Sequence, residues 1–285
     1  MFVEQYLRPR SVEEVLGLLA EFGDDAKLVA GGQSLMVLLH EGLLAPRALI
    51  GLSAVSELAG ISTNGEAKIG ALATHTQVLS DPGIRSSWPV LAEAEQAVSS
   101  VQIRNRGTLC GNLAHAYPTA DPPAALLALD AALTLRSPRG SRHVPVGEFA
   151  LGPLTTILEA DELITAVTLP APPAGARYAY LKYALRPLDF AILGVAVRLV
   201  VDSEGRCGHV RIGLNGAAGR ALRATEAERI LEGEEAGAGT AQLLAAAAEA
   251  AEGQSEPLGE VFESSAYRRD MVRVYVRRAL ERALL

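Results

Sequence analysis

The chain carries two adjacent glycines, Gly31 and Gly32, at the junction of a strand pattern and a helix pattern. Glycine permits the tight reversal that such a junction needs, so the turn at 31–34 imposes a strand–turn–helix order. The flanking patterns predict a strand at 27–30, a helix at 35–44 and a strand at 48–55. Residues 1–55 are therefore expected to form a small α/β unit.

A helix is predicted just ahead of this turn. Ser11 followed by Glu14 is a capping box, which satisfies two of the free N–H groups at a helix start. Apolar residues at helical spacing then run from Val12 to Phe22, and Gly23 supplies a stop.

A second region begins near residue 56 and ends at a proline-rich stretch. Its patterns predict strands at 68–72, 131–136 and 162–169, helices at 75–80 and 88–98, and a loop at 101–120. The stretch 169–175, LPAPPAG, continues neither a helix nor a central strand, because proline lacks the backbone donor. It divides the chain into predicted segments 1–55, 56–172 and 177–285.

The last region is predicted to open with strands and to end in helices. The strand patterns lie at 177–184, 190–201 and 206–215, and the turn at 202–205 joins the last two as a hairpin. An acidic block at 225–263 precedes a basic block at 267–282. Each block is interpreted as a solvated helix face, with a docking surface for a partner subunit as the alternative.

Charge and hydropathy exclude several classes of protein. The formal net charge of −7 argues against a nucleic-acid partner, because such proteins usually present a positive surface. The best membrane-span candidate, 124–135, is shorter than the ~20 residues required and contains Asp130, so it is interpreted as a buried helix running into a strand. Glu4, Arg8 and Arg10 interrupt the stretch where a secretory signal would be apolar, so a cytoplasmic protein is expected.

The few cysteines and scattered histidines predict no metal site. Cys110 and Cys207 lie far apart, whereas an iron–sulfur cluster needs about four thiolates. The five histidines include no HExxH pair that could seat zinc. His75 and His115 are interpreted as loop hydrogen-bonders rather than acid–base catalysts, and no catalytic residue or metal ligand is assigned.

Two glycine-bearing loops, at 30–34 and 108–112, are the candidate ligand sites. Successive N–H groups in such turns can surround an anion such as a pyrophosphate, and both loops carry hydroxyl or amide side chains. Taken alone, each loop is better explained as a structural turn. Neither a P-loop nor a GxGxxG fingerprint is complete, which disfavours an ATPase and a Rossmann nicotinamide enzyme.

Six stretches taken together resemble a known family across nearly the whole chain. They are AGGQSL at 30–35, IGALATH at 69–75, QIRNRGTLCGNLAHAYPTAD at 102–121, DELITAVTLP at 161–170, YLKYALRPLDFAILGVA at 180–196 and SSAYRRDMVRVYVRRAL at 264–280. In this order they resemble the FAD-binding (medium) subunit of molybdenum hydroxylases, the carbon monoxide dehydrogenase and xanthine dehydrogenase flavoprotein family. The resemblance implies an α+β chain: a two-subdomain FAD-binding fold of the vanillyl-alcohol-oxidase/PCMH type, then a C-terminal α+β domain with a small antiparallel sheet and helices.

The resemblance also implies a set of cofactor-binding residues. Those expected against FAD are Ala30, Gly31, Gly32, Gln33, Ser34, Leu35, Ile103, Thr108, Gly111, Asn112, Asp121, Ile164, Lys182 and Phe190. The two loops would hold the pyrophosphate, and Phe190 stands where an aromatic residue often lies near the flavin ring. Lys182 has independent support, because arginine is the chain's usual cation and only three residues are lysine.

Some of these residues have alternative interpretations. Lys182 could instead be exposed on a strand, and Asp121 could serve only as a helix cap. Cys110 and Tyr117 depart from the family, which usually has glycine and aspartate there. If Cys110 must adopt a positive φ, strain of roughly 1 kcal/mol or more follows.

The function that the resemblance implies is electron relay. The chain would accept electrons from iron–sulfur clusters on a partner and pass them through FAD to an external acceptor. A molybdopterin-binding large subunit and a 2Fe–2S small subunit are the expected partners. Two alternatives stay open at the level of sequence: a stand-alone flavin-dependent dehydrogenase of a small molecule, and a scaffold that has lost the cofactor.

Overall fold

The computed structural model of the chain describes residues 3–236, 240–259 and 264–285. The opening elements are β1 (Gln5–Leu7), α1 (Val12–Phe22), β2 (Ala26–Val29), α2 (Leu35–His40) and β3 (Ala48–Gly51). The three strands form a parallel sheet in the order β1-β3-β2. The predicted strand–turn–helix order is confirmed, and the first glycine loop joins β2 to α2.

The first helix forms as predicted, but its capping box is only half made. The Ser11 hydroxyl accepts a hydrogen bond from the Glu14 N–H at 3.1 Å. The Glu14 carboxylate turns to the Arg10 N–H, at 2.7 Å, instead of returning to Ser11. Gly23, at φ +53°, ends the helix as expected.

The second helix is shorter than predicted, ending at His40 rather than at residue 44. Gly42 adopts φ +71°, which glycine tolerates at little cost. The Leu43 N–H then donates to the Leu38 carbonyl at 2.9 Å, a backbone bond typical of a helix C-terminus. The prediction was wrong because the apolar spacing continues through this turn, whereas the helical backbone ends at His40.

A five-stranded antiparallel sheet forms the centre of the molecule, in the order β4-β5-β10-β6-β7. The elements of this region are β4 (Ile61–Asn64), β5 (Glu66–Gly70), α3 (His75–Ser80), α4 (Pro82–Ser87), α5 (Pro89–Ala97), α6 (Val101–Arg104), α7 (Leu109–His115), α8 (Asp121–Ala128), β6 (Ala132–Ser137), β7 (Gly140–Pro145), α9 (Val146–Phe149), β8 (Ala150–Gly152), β9 (Thr155–Thr156) and β10 (Leu163–Leu169). The helix running into a strand, predicted at 124–135, is confirmed as α8 and β6. The predicted loop at 101–120 is wrong in part, because the capping residues Ser100 and Thr108 start two short helices there.

The last region is a four-stranded antiparallel sheet covered by helices. Its elements are β11 (Ala176–Tyr183), β12 (Leu193–Val201), β13 (Cys207–Asn215), β14 (Leu222–Arg223), α10 (Thr225–Leu231), α11 (Thr240–Gly253) and α12 (Ser265–Leu284). The strand predicted from 190 begins at Leu193. Residues 237–239 and 260–263 of the acidic block lie outside the described residues. Five of the six arginines in the basic block are exposed, but Arg268 is buried, so a wholly solvated face is wrong there.

Two sets of buried side chains form the core. The larger packs the first two sheets against α1, α5 and α8, and the smaller lies between the four-stranded sheet and α10–α12. Helix α8 also packs closely on β13: a methyl group on Gly213 would lie 2.0 Å from the Ala124 carbonyl oxygen. The mixed helix and strand content with small antiparallel sheets confirms the predicted α+β class. The boundaries at 1–55, 56–172 and 177–285 stay a prediction.

Candidate functional site

The first glycine loop contacts the turn that immediately precedes the second, although more than 70 residues separate them in sequence. A methyl group on Gly31 would lie 2.0 Å from the Arg106 carbonyl oxygen and 2.8 Å from the Gly107 Cα. Only a residue without a side chain lets the backbones approach this closely. The turn at 106–107, just before the second loop, is therefore a shelf on which the first loop rests.

The first loop presents free backbone donors. Gly32 adopts φ +75°, which orients the turn toward α2. Within the part of the chain that the structure describes, the N–H groups of Gly32, Gln33 and Ser34 donate to no carbonyl or side chain. The Ser34 hydroxyl caps no helix N–H either. Three adjacent N–H groups with no protein acceptor can surround an anion such as a pyrophosphate.

The second loop is the start of a regular helix, and it differs from the first. The Thr108 hydroxyl caps α7 by accepting the Gly111 N–H at 3.0 Å. Cys110 is not among the non-glycine residues with positive φ in the described chain, so the suggested strain at Cys110 is wrong. It is instead a buried residue of the first helical turn, and burial raises the pKa of its thiol to about 12.

A cleft of about 470 Å³ lies beside the second loop. It runs between the end of α7 and the segment that connects β11 to β12. The polar and aromatic residues that line it include Asn112, Tyr117, Thr119, Asp121, Phe190 and Arg268. The Asn112 side-chain oxygen is buried and accepts no hydrogen bond from any described residue, so the cleft offers a ligand a free acceptor.

A buried ion pair adjoins this cleft through Asp121, which lines it, whereas Lys182 is not among the lining residues. The Lys182 Nζ lies 2.9 Å from Asp121 Oδ2 and donates to the Ala97 carbonyl, also at 2.9 Å. The Tyr180 hydroxyl donates to Asp121 Oδ1 at 2.7 Å. Burial raises the pKa of Asp121, although Lys182 and Tyr180 act in the opposite direction.

The surroundings of this pair exclude two of the alternative interpretations. The Lys182 side chain is only 11% exposed, so the suggestion of an exposed strand lysine is wrong. Asp121 is the first residue of α8 but makes no side-chain capping bond, so the capping interpretation is wrong as well.

Two aromatic rings stand at the mouth of the cleft. The Phe190 and Tyr117 ring centroids are 4.8 Å apart, and Tyr117 stacks in turn on His115 at 5.9 Å. Phe190 is 63% exposed, an unusual position for a phenylalanine that no ligand or partner covers. Tyr117, at the position where the family commonly has aspartate, thus places an aromatic face next to Phe190.

The family of the chain follows from comparison with known proteins. Residues 2–172 match the family described as FAD binding domain in molybdopterin dehydrogenase, and residues 178–283 match the CO dehydrogenase flavoprotein C-terminal domain. The chain belongs to the FAD-binding medium subunits of the carbon monoxide dehydrogenase and xanthine dehydrogenase family. As a member of this family it binds FAD and is a subunit of an oxidoreductase.

Relatives of this medium subunit resemble it along nearly their whole length. Subunit alpha of the 6-hydroxypseudooxynicotine dehydrogenase complex of Paenarthrobacter nicotinovorans is 38% identical over 98% of this chain and 94% of the relative. The carbon monoxide dehydrogenase medium chain of Hydrogenophaga pseudoflava is 36% identical over 98% of this chain and 96% of its own. A solved structure of carbon monoxide dehydrogenase from Hydrogenophaga pseudoflava superimposes with a TM-score of 0.93 at 37% identity, covering 98% and 96% of the two chains.

The residues expected against FAD in this medium subunit fall in several places: Asn112, Asp121 and Phe190 line the cleft, the first loop rests on the turn at 106–107, and Ile164 lies apart. Ala30 and Leu35 flank the first loop and are half-buried. Ile103 supports the shelf, because its carbonyl accepts the Gly107 N–H at 2.7 Å. Ile164 is buried in the larger core, on β10 beside Leu135, and does not line the cleft.

Sequence reasoning missed several residues that shape the site. Tyr180 and the Ala97 carbonyl fix the Asp121–Lys182 pair, and Arg268 reaches the cleft from α12. Arg268 falls in a matched stretch, which was the available signal, whereas nothing local marks the others. Among the described residues, no three His, Cys, Asp or Glu side chains group to hold a metal ion. No helix there is long and apolar enough to cross a membrane.

Proposed function

We propose that the chain accepts electrons from iron–sulfur clusters on a partner and passes them to an external acceptor. It would act as the FAD-binding electron-transfer subunit of a heterotrimer with a molybdopterin-binding large subunit and a 2Fe–2S small subunit. The observation that carries the proposal is the set of free N–H donors on the first loop, which rests on the turn before the second loop, whose Asn112 lines a cleft next to the Asp121–Lys182 pair. Bound FAD supplies two-electron redox chemistry at this site.

The two loops would hold the cofactor by its phosphates. The N–H groups of Gly32, Gln33 and Ser34 are free to donate to pyrophosphate oxygens. Thr108, Gly111 and their neighbour Asn112 would surround the same part of the ligand from the other loop. The free Asn112 oxygen is an acceptor, so it would receive a hydrogen bond from a hydroxyl or N–H group of the cofactor rather than from its phosphates.

Lys182 would provide the charge that favours reduction of the cofactor. Hydrogen bonds to Asp121 and Ala97 hold its ammonium in a buried position, where electrostatic interactions are stronger than in water. Phe190, with Tyr117 behind it, would pack an aromatic face against the ring and limit the access of water.

The absence of independent substrate chemistry is also part of the proposal. Two carboxylates line the cleft in the described chain: Asp121, whose two oxygens are already bonded to Tyr180 and Lys182, and Asp189, which is exposed to solvent. Relatives of similar identity are named for different substrates, 6-hydroxypseudooxynicotine and carbon monoxide. This variation supports a substrate site that lies outside the flavoprotein chain.

The domain division belongs to the same proposal. Residues 1–55 and 56–172 would form the two FAD-binding subdomains, and 177–285 the C-terminal flavoprotein domain. The separate sheets and the smaller, C-terminal set of buried side chains support this division.

Co-purification of the native complex tests the electron-relay role. We expect partner chains with molybdopterin and iron–sulfur clusters, and one FAD for each copy of this chain. A complex with molybdopterin and clusters but no stoichiometric FAD would contradict the proposal. Steady-state oxidation of a small donor by the isolated chain, with an artificial acceptor, would favour a stand-alone dehydrogenase instead.

Opposite charge changes at the buried pair test the proposed position of the cofactor. Lys182→Met should lower the flavin reduction potential by about 30 mV or more, because about 1.4 kcal/mol of stabilisation of the reduced form is lost. Asp121→Asn should raise the potential, because it removes a negative charge. Lys68→Met removes an exposed lysine on β5 and serves as the control. Spectroelectrochemical titration of the FAD-loaded chain measures all three, and shifts of the same sign at 121 and 182 would refute the placement.

A further inference from the structure

We propose that His75 and Glu95 form a buried clamp that sets the position of the two glycine loops, and hence the affinity for FAD. Both would be positioning residues, because neither reaches the cleft or the free donors of the first loop. The inference rests on the proposed placement of FAD on these loops.

The clamp is a short contact between two helices. His75 is the first residue of α3, and its Nδ1 lies 2.5 Å from Glu95 Oε2 on α5. The side chains are 3% and 0% exposed. Glu95 Oε1 has no hydrogen-bond partner among the described residues, so the carboxylate depends on the imidazole. The interpretation of His75 as a loop residue is wrong, while its role as a hydrogen-bonder is confirmed.

The other side of the imidazole ring supports the shelf. A methyl group on Gly107 would lie 3.0 Å from His75 Cδ2 and 3.2 Å from Nε2, so the ring packs directly against the Gly107 backbone. The backbone N–H of His75 donates to the Gly107 carbonyl at 3.0 Å. Since Gly31 rests on Arg106 and Gly107, a shift of the ring moves the surface on which the first loop lies.

The energetics favour a positioning role over a stabilising one. A buried ion pair loses hydration on both partners, and this loss offsets much of the attraction between them. A pair of well-packed apolar side chains would stabilise this interior as well. What an apolar pair could not reproduce is the fixed orientation of the ring, which the Glu95 hydrogen bond determines.

The charges around the ring favour the protonated form of the His75 imidazole. Burial lowers the pKa of His75, but the Glu95 carboxylate, assisted by Asp121 on α8, more than offsets it. Arg104 on α6 acts in the opposite direction, and the net result is a raised pKa. The Cys110 thiol on α7 stays neutral. The protonated imidazole that pairs with Glu95 is therefore fully present below the ordinary imidazole pKa of 6.5, and it is lost as the pH rises through the raised pKa of His75.

Isosteric variants of the full chain test the clamp. Glu95→Gln and His75→Gln should each raise the FAD dissociation constant about tenfold, the change expected when a charge-assisted hydrogen bond is lost. The control is Glu228→Gln, which removes an equally buried carboxylate bonded to Arg223 and to the Ile212 N–H in the C-terminal region. The control should lower the melting temperature without changing the FAD dissociation constant. Calorimetric titration with FAD and a thermal melt give the two readouts.

A pH series supplies a second measurement, needed if Glu95→Gln fails to fold. FAD affinity of the unmodified chain should fall as the pH rises from below 6.5 through the raised pKa of His75, and His75→Gln should remove this dependence. Unchanged affinity in both variants, or the same pH dependence in His75→Gln, would overturn the clamp.

If Gly31→Ala also leaves FAD affinity unchanged, the loops do not hold FAD and the proposed site itself fails. Loss of FAD in Gly31→Ala alone would leave the site intact and refute only the clamp.

Discussion

The two glycine loops look alike in sequence, yet glycine is required at positions 31 and 32 of the first and not at position 110 of the second. In the first loop, Gly31 meets the backbone of the neighbouring shelf and Gly32 adopts a positive φ. In the second loop, the backbone is an ordinary helix start whose cap is the Thr108 hydroxyl. Cys110 fits there with its side chain buried in the larger core. Two turns that look alike in sequence therefore tolerate side chains very differently.

This difference explains why a cysteine fits at position 110. A helical residue of the first turn has room for a side chain if that side chain points into the core. Gly31 is not in a helix, and a side chain there would overlap the backbone of Arg106 instead of pointing into the core. We therefore expect a side chain to be compatible with FAD binding at position 110 and incompatible at position 31.

Gly31→Ala should have the largest effect. The added methyl group would lie 2.0 Å from the Arg106 carbonyl oxygen, and only movement of one backbone could relieve the overlap. We expect a loss of about 3 kcal/mol or more in the free energy of unfolding, together with loss of FAD. Denaturant unfolding and the flavin absorbance of the purified chain measure the two effects.

Gly17→Ala is the matched control for that substitution. Gly17 lies on the exposed side of α1, with no atom within 4 Å of an added methyl group. Removing a helix glycine should stabilise the chain by about 0.5–1 kcal/mol and leave FAD binding unchanged. Equal tolerance at positions 17 and 31 would show that the loops are not in tight contact.

Gly32→Ala should have a smaller effect, set by conformation rather than overlap. The nearest atoms to an added methyl group are 3.6 and 3.7 Å away, on Met36 and Val29, which is ordinary contact. The cost is that of a positive φ, about 1–2 kcal/mol. Because Gly32 also orients free N–H donors, we expect the FAD dissociation constant to rise as well.

Gly42→Ala separates the two consequences at Gly32. Gly42 adopts a similar φ, +71°, after α2, and an added methyl group there meets nothing within 4 Å. Both variants should lose similar stability in denaturant unfolding, but only Gly32→Ala should bind FAD more weakly. A parallel loss of affinity in Gly42→Ala would mean that Gly32 acts through stability alone.

Much of the fold could be predicted from local sequence signals. Ser11 and Gly23 bracket the first helix because capping and helix termination depend on neighbouring residues. The two short helices inside 101–120 were missed, since each spans few residues and lacks a full period of apolar spacing. Strand β7 was missed for a similar reason: most of it is exposed, so it carries no apolar alternation.

The site was predictable where residues act locally and unpredictable where they meet across the fold. The glycine loops carry a recognisable motif, and Lys182 stands out in a chain that otherwise favours arginine. By contrast, nothing near Glu95 in sequence indicates that His75, twenty residues earlier, supplies its partner. Such a pair depends on how two helices pack, and that arrangement is set by the whole core.

Cys110→Gly should have the smallest effect on the cofactor, and it tests the comparison of the loops most directly. The substitution restores the family residue, yet Cys110 already has a helical backbone, so FAD affinity should stay within about twofold of that of the unmodified chain. Stability should fall by about 1 kcal/mol, because glycine weakens a helix and a buried side chain is lost. A large gain in FAD affinity would show that Cys110 strains the loop after all. Thiol labelling gives an independent check: with a pKa of about 12 and 3% exposure, the thiol should react near neutral pH only after denaturation.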